Sequence, residues 1–508
     1  MLKKTNTVTA LLFCLFAVAA HAQQTTGHLE GRVVDTNNQP LAEVNVVVSG
    51  PAIQGVRGGV TDAGGSFRIL ALPSGRLTVT FRHIAYQRLV VSDVTILLGK
   101  TTSLADIVLT SRSIEVDAIE VTAARPVIDA TSTTIGANLS SLEFEALPTE
   151  RDHRSIFTLL PHANTSFLVD DVNSCGATGQ ENAYFIDGAN TTDPFRAIGS
   201  TQLPYNFVKE IELKIGGYEA EYGRATGGIV NVVTHSGSNE FQARAFGFYT
   251  NNDLASDSRR GFVDLTTGDF LRYDLGLSLG GPVLRDKLWY FLAYNGRVDR
   301  EDITFEGLGV RPDDKRTHMF AGKLTWQPSS ALDMTLSIFG DPTSWDRIGH
   351  NFVGGGNPAS LANPDPFLGQ WQQGTFNASL HANYVASDRF LVEGKVSRYR
   401  GKWIAEAATE RGRIEPQLRD NTAGVWSGGY GAEFDRLSTR TSMALATTYF
   451  AGNHNLKAGL QFEKEESAVV SNAFQGMTFV LTGELESMTR REAKELIEAR
   501  GAGADIVC

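Results

Sequence analysis

The part of the chain beyond residue 240 is dominated by segments in which apolar and polar residues alternate. In residues 376–384 the apolar set is Phe376, Ala378, Leu380, Ala382 and Tyr384, and the polar set is Asn377, Ser379, His381 and Asn383. Successive side chains of a strand point to opposite faces, so each segment predicts a strand with one apolar and one polar face. Such segments occur at 240–250, 273–281, 287–298, 317–327, 331–340, 374–385, 388–400, 439–450, 454–465 and 476–482. Alternating segments separated by turns are typical of an antiparallel β-barrel with one face in lipid.

The connections between these segments are of two kinds. Residues 281–287 and 327–330 form short joints, whereas 341–373 and 401–437 are long. Bacterial barrels have short periplasmic turns and long external loops, so this asymmetry predicts which strand ends face the periplasm. His381 falls on the polar face of its segment, and we expect it to face the lumen rather than bind a metal.

Composition favours a chain that crosses a membrane with strands rather than with helices. The chain has 508 residues and is 42% hydrophobic, yet after residue 22 no stretch is apolar for the roughly 18 residues that a transmembrane helix needs. The 51 glycines suit many turns and bulges. The net charge of -11, with acids and bases interleaved, argues against nucleic acid as a partner.

The first 22 residues have the three parts of a secretory signal peptide. Two lysines precede the apolar run ALLFCLFAVAA, and Ala20 and Ala22 place small residues where the peptidase requires them. Cleavage is predicted after Ala22. A membrane anchor is the alternative, but the run is shorter than the roughly 20 residues of a spanning helix. Cys175 and Cys508 then remain, which is too few for a disulfide framework.

Residues 28–110 predict a small β-sandwich. Segments with strand character, GRVVD, PLAEVNVVV, TDAGGSFRI and LPSGRLTVTF, are separated by regularly spaced turn signals. In this order they resemble the carboxypeptidase regulatory-like domain, a transthyretin-like or carbohydrate-binding-like sandwich. One departure is HIAYQ, where Ala85 stands in place of the glycine usual in that family. The domain is not catalytic there, and we find no zinc-binding His/Glu spacing in this segment.

Residues 119–250 resemble the plug domain of TonB-dependent outer-membrane receptors and the start of their barrel. The resemblance rests on the order of the motifs LP…RD…LLP, IDG, AEYGRATGGIVNVVT and SGSNEF. With the signal peptide and the sandwich in front, the layout is similar to the Oar-like branch of that family. The resemblance implies an α+β plug at 130–238 with a structural motif made of Asp187, Gly188, Tyr222, Gly223, Gly227, Gly228 and Asn231.

The linker at 113–129 contains an alternating segment that ends before Pro126. An ordinary linker strand explains it, and so does an extended segment offered to the sheet edge of a partner. The resemblance implies the second explanation, with TonB as the partner and contacts made by Ile119, Glu120, Val121, Thr122 and Ala123.

The stretch GGYEAEYGRATGGIVNVVTHSGSNEF, residues 216–241, carries six glycines around one short apolar strand. A plug confined in a barrel must turn sharply and approach the wall closely, which favours residues without a Cβ. We expect Gly216, Gly217 and Gly223 to end or bend strands. Gly227 and Gly228 would let the following strand press against a neighbouring sheet, and Gly237 would relax the backbone where the chain leaves the plug. These glycines lack the G-x-G-x-x-G spacing of a dinucleotide site.

The fold class expected is therefore mainly β: a sandwich, an α+β plug, and a partial transmembrane antiparallel barrel at 239–508. A TonB-dependent receptor has a barrel of about 22 strands, roughly twice the number of segments found here. The sequence ends in SMTRREAKELIEARGAGADIVC, which reads as a helix in a loop. We expect a truncated chain, and one that does not insert stably by itself, because unpaired strand edges are costly in lipid.

The resemblance implies a receptor in the outer membrane of a Gram-negative bacterium, without enzymatic activity, cofactor or metal. Its expected partners are the lipid bilayer, TonB with its inner-membrane complex, and an extracellular solute. Peptides, oligosaccharides and metal chelates all remain open as the solute. The alternative is an outer-membrane adhesin or carbohydrate-binding surface protein in which the sandwich does the binding. A secreted metallopeptidase is disfavoured because the sequence contains no H-E-x-x-H.

Overall fold

The fold was analysed in a computed structural model of the chain. The structure describes residues 25–51, 53, 55, 57–111, 119–122, 134–145, 147, 152–159, 161–165, 171–174, 176–219, 221–255, 269–305, 309–348, 357–358, 364–420, 425–431, 433–451, 454–471, 478–481 and 503–506. The predicted signal peptide and its cleavage site at Ala20 and Ala22 lie outside these residues.

The first domain is the expected β-sandwich. Its strands are β1 (Gly27–Asp35), β2 (Asn45–Ser49), β3 (Arg57–Val60), β4 (Ser66–Leu72), β5 (Gly75–Arg82), β6 (Leu89–Ile96), β7 (Thr101–Ser103), β8 (Ile107–Leu109) and β9 (Ile119–Thr122). One sheet has the order β4-β1-β7, with β8 also paired to β1, and the other has the order β3-β2-β5-β6-β9. Residues 119–122 of the predicted linker thus belong to this second sheet, beyond the bounds 28–110 that the sequence predicts for the sandwich. The alternating valines and phenylalanines of β2, β4 and β5 point between the sheets and form a buried apolar core.

The second domain is the expected α+β plug. Its elements are β10 (Ile135–Ser140), α1 (Ser141–Phe144), α2 (His153–Phe157), β11 (Ala163–Thr165), β12 (Val172–Ser174), β13 (Ala183–Ile186), β14 (Ala189–Asn190), β15 (Val208–Gly216) and β16 (Ile229–Thr234), with 3₁₀ turns at Gly179–Glu181 and Tyr205–Phe207. Its main sheet has the order β10-β15-β16-β13-β14. Helix α1 begins with a capping box between Ser140 and Glu143, and Asp152 caps α2.

The remaining strands form mostly one large antiparallel sheet. In chain order the elements are β17 (Gln242–Asn251), β18 (Phe270–Leu284), β19 (Leu288–Phe305), β20 (Gly309–Ser329), β21 (Leu332–Gly340), β22 (Thr343–Ile348), β23 (Asn357–Pro358), β24 (Leu368–Ser387), β25 (Phe390–Ala407), α3 (Glu410–Ile414), β26 (Gln417–Asp420), β27 (Val425–Gly428), β28 (Phe434–Ala451) and β29 (His454–Ser471), with 3₁₀ turns at Asn252–Leu254 and Asp365–Phe367. The large sheet has the order β17-β18-β19-β20-β21-β24-β25-β28-β29, and β22 pairs with β20 and β24. The small sheet β23-β27-β26 lies in the long connections.

The large sheet is apolar on its outer face and polar on its inner face. In β24 the side chains of Phe376, Leu380 and Tyr384 are 40 to 49% exposed. The intervening Asn377, Ser379, His381 and Asn383 are 0 to 6% exposed. This is the arrangement of a wall with lipid outside and a filled lumen inside, and it confirms the predicted alternation.

The lumen is filled by the plug. Barrel residues Phe291, Ala293, Met319, Ala321 and Phe339 share one buried cluster with the plug residues Phe144, Ile156, Phe157, Phe207 and Val208. The wall is therefore apolar on both faces at this contact, which a strict alternation does not predict.

Short turns lie at one end of the wall. The connections β18–β19, β20–β21 and β24–β25 each take three residues or fewer, while the connections around β22, β23, α3 and β26 lie at the other end. By the general rule for such barrels, the short-turn end faces the periplasm and the long-loop end faces outward.

Two strands at the end of the sequence differ from the prediction. β30 (Thr478–Leu481) pairs in parallel with β31 (Gly503–Ile506), in a sheet of their own. The segment predicted at 476–482 is therefore not a strand of the large sheet. Two parallel strands need a crossover connection, which antiparallel neighbours in a barrel do not.

No helix in the described part of the chain is long and apolar enough to cross a membrane.

Candidate functional site

The IDG motif forms the turn that fastens the plug to the wall. β13 and β14 pair with Ile186 opposite Ala189, so Asp187 and Gly188 are the two turn residues, and both have positive φ. The Asp187 carboxylate accepts hydrogen bonds from Lys323 Nζ at 2.8 Å, Thr234 N at 2.9 Å and Thr234 Oγ1 at 2.6 Å. Because Lys323 belongs to β20 and is buried, this turn is a plug–barrel contact point.

The glycine-rich stretch makes its closest approach to the wall at Gly237. A Cβ placed on Gly237 would lie 2.2 Å from the carbonyl oxygen of Tyr290 in β19. A Cβ on Gly227 would lie 2.6 Å from Asn182 Oδ1, and one on Gly228 2.7 Å from Ser174 Oγ. These two glycines therefore press on side chains within the plug: Asn182 precedes β13, and Ser174 is the last residue of β12 in the neighbouring two-stranded sheet.

The other three predicted positions of this stretch differ in how far they require glycine. Gly216 has no atom nearer than 4.0 Å to an added Cβ, so close packing does not require glycine there. Gly217 has a positive φ of 61° and is a genuine bend. Gly223 lies half-buried in the loop between β15 and β16.

Tyr222 and Asn231 are buried around the plug sheet. The ammonium of Lys214 lies 4.4 Å from the ring centroid of Tyr222. Asn231 donates to Glu212 Oε2 at 3.4 Å. Burial and the surrounding carboxylates raise the pKa of Tyr222 well above its usual value. Both residues therefore have structural roles inside the plug.

A cavity of about 400 Å³ opens between the plug and the long-loop end of the wall. The plug contributes Arg154 and residues from the 193–202 loop, and the wall contributes side chains from β20, β22, β24, β25 and β28. Its charged lining residues are Arg154, Asp193, Arg196, Lys315, Asp341, Arg347, Lys402 and Arg436, and its aromatic lining residues are Trp345, Trp371, Tyr399 and Trp403. Six cationic groups against two carboxylates give this cavity a cationic lining, although the whole chain carries a net charge of -11. Arg154 is itself paired with Asp152, at 2.9 Å.

Aromatic rings hold several of these cations in place. The Arg347 guanidinium lies 4.3 Å from the ring centroid of Trp371 and 4.5 Å from that of Trp345. Arg196 and Arg436 lie 4.8 Å and 4.5 Å from the ring of Trp403. Within the described residues, neither Arg196 nor Arg347 has a carboxylate within ion-pair distance, whereas Arg436 pairs with Asp193 at 3.2 Å. Cation–π contacts orient a guanidinium and leave its charge available to an anion.

The plug loop that forms the floor of this cavity is bonded to the wall. The Asp341 carboxylate accepts from the backbone N–H groups of Gln202 at 2.9 Å and Thr375 at 2.8 Å. The hydroxyls of Ser200 and Tyr399 lie 2.9 Å apart. A ligand that moves this loop must therefore disturb its contacts with Asp341, between β21 and β22, and with Tyr399 in β25.

The sandwich packs on the opposite, short-turn end. Arg57 donates to Asp333 Oδ2 at 2.9 Å, close to the β20–β21 turn, and both side chains are nearly buried. Leu70 and Ala71 share a buried cluster with barrel residues beside the β24–β25 and β28–β29 turns. The ring of His28 meets Phe450 edge-on, with centroids 5.6 Å apart. Burial, followed by Lys457 and Arg68, lowers the pKa of His28 to about 4.

The predicted TonB-binding segment is only partly described. Its residues 119–122 form β9, the edge strand of the second sandwich sheet, paired in parallel with β6. Ala123 lies outside the described residues. No group of three or more His, Cys, Asp or Glu side chains in the described ranges could hold a metal ion.

Comparison with known proteins agrees with this architecture. Residues 28–110 match the carboxypeptidase regulatory-like domain and residues 233–388 match the outer membrane beta barrel domain. Over 471 residues the chain is 30% identical to the TonB-dependent transporter Oar of Myxococcus xanthus. The chain is a homologue of the TonB-dependent transporters. The match covers 83% of this chain and 43% of Oar, so the chain spans less than half the length of that relative.

A solved structure supports the fold. The outer membrane transporter YddB from Escherichia coli superposes with a TM-score of 0.53 at 14% identity, over 67% of this chain and 50% of YddB.

A shorter match, 46% identical over 61 residues, is to the DNA ligase of Thermoanaerobacter sp. (strain X514), and covers 11% of this chain and 9% of the ligase. The barrel-domain match and the Oar homology place this TonB-dependent transporter homologue in the outer membrane of a Gram-negative bacterium.

Proposed function

We propose that the chain acts as an outer-membrane receptor that binds an anionic solute from outside and, with energy supplied through TonB, passes it to the periplasm. The cationic cavity at the long-loop end carries this proposal. It lies between plug and wall, so a bound solute contacts both the part that moves and the part that is fixed.

The charge of the lining argues for the class of solute. The cavity has four more cationic than acidic groups, and two of its arginines have no carboxylate partner in the described part of the chain. Charge-assisted hydrogen bonds from guanidinium groups favour carboxylate, sulfate or phosphate groups, and the partly exposed indoles of Trp345 and Trp403 lie beside them. An acidic oligosaccharide or acidic peptide fits this combination of charge and ring faces.

Energy coupling requires a periplasmic partner, because the outer membrane has no nucleotide supply and holds no proton gradient. We assign the contact with TonB to Ile119, Glu120, Val121, Thr122 and Ala123, on the motif order of the family and on the strand conformation of residues 119–122. This segment belongs to the sandwich that packs on the short-turn end, the side on which TonB would be found.

The adhesin alternative loses support from the same placement. A sugar-binding sandwich that acts at the cell surface has to lie beside the long external loops. Here the sandwich is joined to the opposite end of the wall by Arg57, His28 and the contacts around Ala71.

Tryptophan fluorescence tests the solute proposal, because three tryptophans line the cavity. The full chain in detergent is titrated with trigalacturonate and triglutamate, with maltotriose as the neutral comparison. Saturable quenching by an acidic trimer is expected, and Arg347→Gln should weaken it at least tenfold. The matched control is Arg316→Gln, an exposed position in β20 paired with Asp314. Equal binding of maltotriose, or equal affinities for the Arg347→Gln and Arg316→Gln variants, would refute the anion assignment.

The TonB assignment has its own test. Val121→Pro removes a backbone N–H donor from the segment, and we expect it to abolish binding of the TonB carboxy-terminal domain while leaving solute quenching unchanged. TonB binding that survives Val121→Pro unaltered would show that another segment makes the contact.

A further inference from the structure

The segment assigned to TonB is already part of a folded sheet. β9 pairs with β6 in parallel, with Ile119 opposite Leu89 and Thr122 opposite Ser92. Its sheet has the order β3-β2-β5-β6-β9, so β9 is at the edge and, among the described strands, its other side carries no partner. Such an edge offers main-chain donors and acceptors to one more strand.

The site on β6 that holds β9 is short and firmly built. Leu89 and Val91 point into the sandwich core and are buried. Asp93 has a positive φ of 56°, directly after the last paired residue, Ser92. This irregularity lies at the end of the pairing that the described residues show.

The far end of β6 leads to the plug. Two residues after β6 ends, the backbone N–H of Leu98 donates to Glu210 Oε1 in β15 at 3.0 Å. Asn138 in β10 donates to the same carboxylate oxygen at 2.8 Å. An added Cβ on Gly99 would lie 3.1 Å from Glu212 Oε1, so the turn after β6 lies directly on β15. One strand thus connects the TonB-binding segment with the central sheet of the plug.

We propose that the sandwich forms half of the docking site for TonB: β9 stays paired with β6 while a strand of TonB adds to the outer edge of β9. This inference rests on the proposed function, because it takes the TonB assignment of residues 119–122 as its premise. Folding of the sandwich already orders β9. The incoming strand therefore joins a preformed sheet, and binding does not have to order a free peptide. A pulling force on β9 would also be transmitted through β6 to the hydrogen bond between Leu98 and Glu210.

The competing mechanism is strand exchange, in which TonB removes β9 from β6. A disulfide between the two strands separates these mechanisms. Val90 and Glu120 are register partners, and neighbouring strands are about 4.8 Å apart, within the Cα separation that a disulfide tolerates. The pair Val90→Cys and Glu120→Cys is introduced into the full chain with Cys175→Ser and Cys508→Ser, and each single variant serves as the matched control.

The affinity for the TonB carboxy-terminal domain is measured with the pair oxidised and again after reduction. We expect the two affinities to agree within twofold. A tenfold or greater loss on oxidation, recovered by dithiothreitol and not seen in the single variants, would overturn the inference and leave the TonB assignment intact. Failure of the unmodified chain to bind the TonB domain would instead refute the TonB assignment, and the inference with it.

Hydrogen exchange gives a second measurement that needs no disulfide. Exchange is followed in the peptide that contains residues 89–92 of the unmodified chain, with and without the TonB domain. Protection that stays equal or rises supports addition to the outer edge of β9. Protection that falls when TonB binds shows that β9 leaves β6 and contradicts the proposal.

Discussion

The buried ion pair between Asp187 and Lys323 should be the strongest single polar tie between plug and wall. Their side chains are 6% and 4% exposed, and their charged atoms are 2.8 Å apart. Asp187→Asn keeps a side chain that tolerates the positive φ of this turn but removes the negative charge. Lys323 then remains buried without a counter-charge, with the carbonyl oxygen of Thr234 at 2.9 Å as its other acceptor.

The expected cost follows from that geometry. Removing one partner of a buried ion pair costs about 3–5 kcal/mol, because the other charge stays desolvated. We expect Asp187→Asn to lower the free energy of plug opening by about 3 kcal/mol, the lower end, because the amide oxygen still accepts a hydrogen bond. Combining it with Lys323→Met removes the stranded charge, so the double variant should cost less than Asp187→Asn alone.

Hydrogen exchange of the peptide that contains β13 measures plug opening in the full chain. Asp314→Asn is the control, because it breaks a partly exposed pair with Arg316 in the same strand as Lys323 and should change the free energy of plug opening much less than Asp187→Asn does. The reasoning is refuted if Asp187→Asn and Asp314→Asn have equal effects, or if the two changes in the double variant simply add.

Two further predictions concern the packing of the plug and the sandwich. His28 has its pKa lowered from 6.5 to about 4, so its stabilising contribution is complete above pH 6.5 and is lost as the pH falls towards 4. The unfolding free energy of the sandwich should fall by about 3 kcal/mol over this pH range. His28→Gln should flatten the pH dependence, and a variant with the same pH profile as the unmodified chain would contradict this prediction. Gly237→Ala should destabilise the junction of plug and barrel, because the added Cβ would overlap the Tyr290 carbonyl oxygen. Gly216→Ala should be tolerated, because an added Cβ meets nothing closer than 4.0 Å. Equal melting temperatures for these two variants would show that the close approach of Gly237 to Tyr290 does not matter.

Features with a local cause could be predicted from the sequence. The two faces of β24 follow from the two-residue repeat of any strand, so the alternation of Asn377 and Ser379 with apolar neighbours was enough to assign them. The Asp187-Gly188 turn follows from the tolerance of both residues for positive φ. The sandwich strands β3 and β6 were missed, the first because RGGV carries two glycines and only one β-branched residue.

Features assembled from distant segments could not be predicted. The cavity combines the 193–202 loop with five barrel strands, and no spacing in the sequence brings Arg196 and Arg347 together. The pairing of β9 with β6 depends on a register set by the finished sandwich. Among the glycines of residues 216–237, the tightest contact with the wall is at Gly237 and not at Gly227 or Gly228.

The central claim is that the plug sits inside a wall whose outer face contacts lipid. Single spin labels at each position from 376 to 384 of the full chain, held in detergent micelles, test it directly. The account predicts a two-residue period, with positions 376, 378, 380, 382 and 384 relaxed by oxygen dissolved in the apolar interior of the micelle and positions 377, 379, 381 and 383 shielded by the plug. Labels that show no such period, or even-numbered positions relaxed by a water-soluble nickel complex, would contradict it.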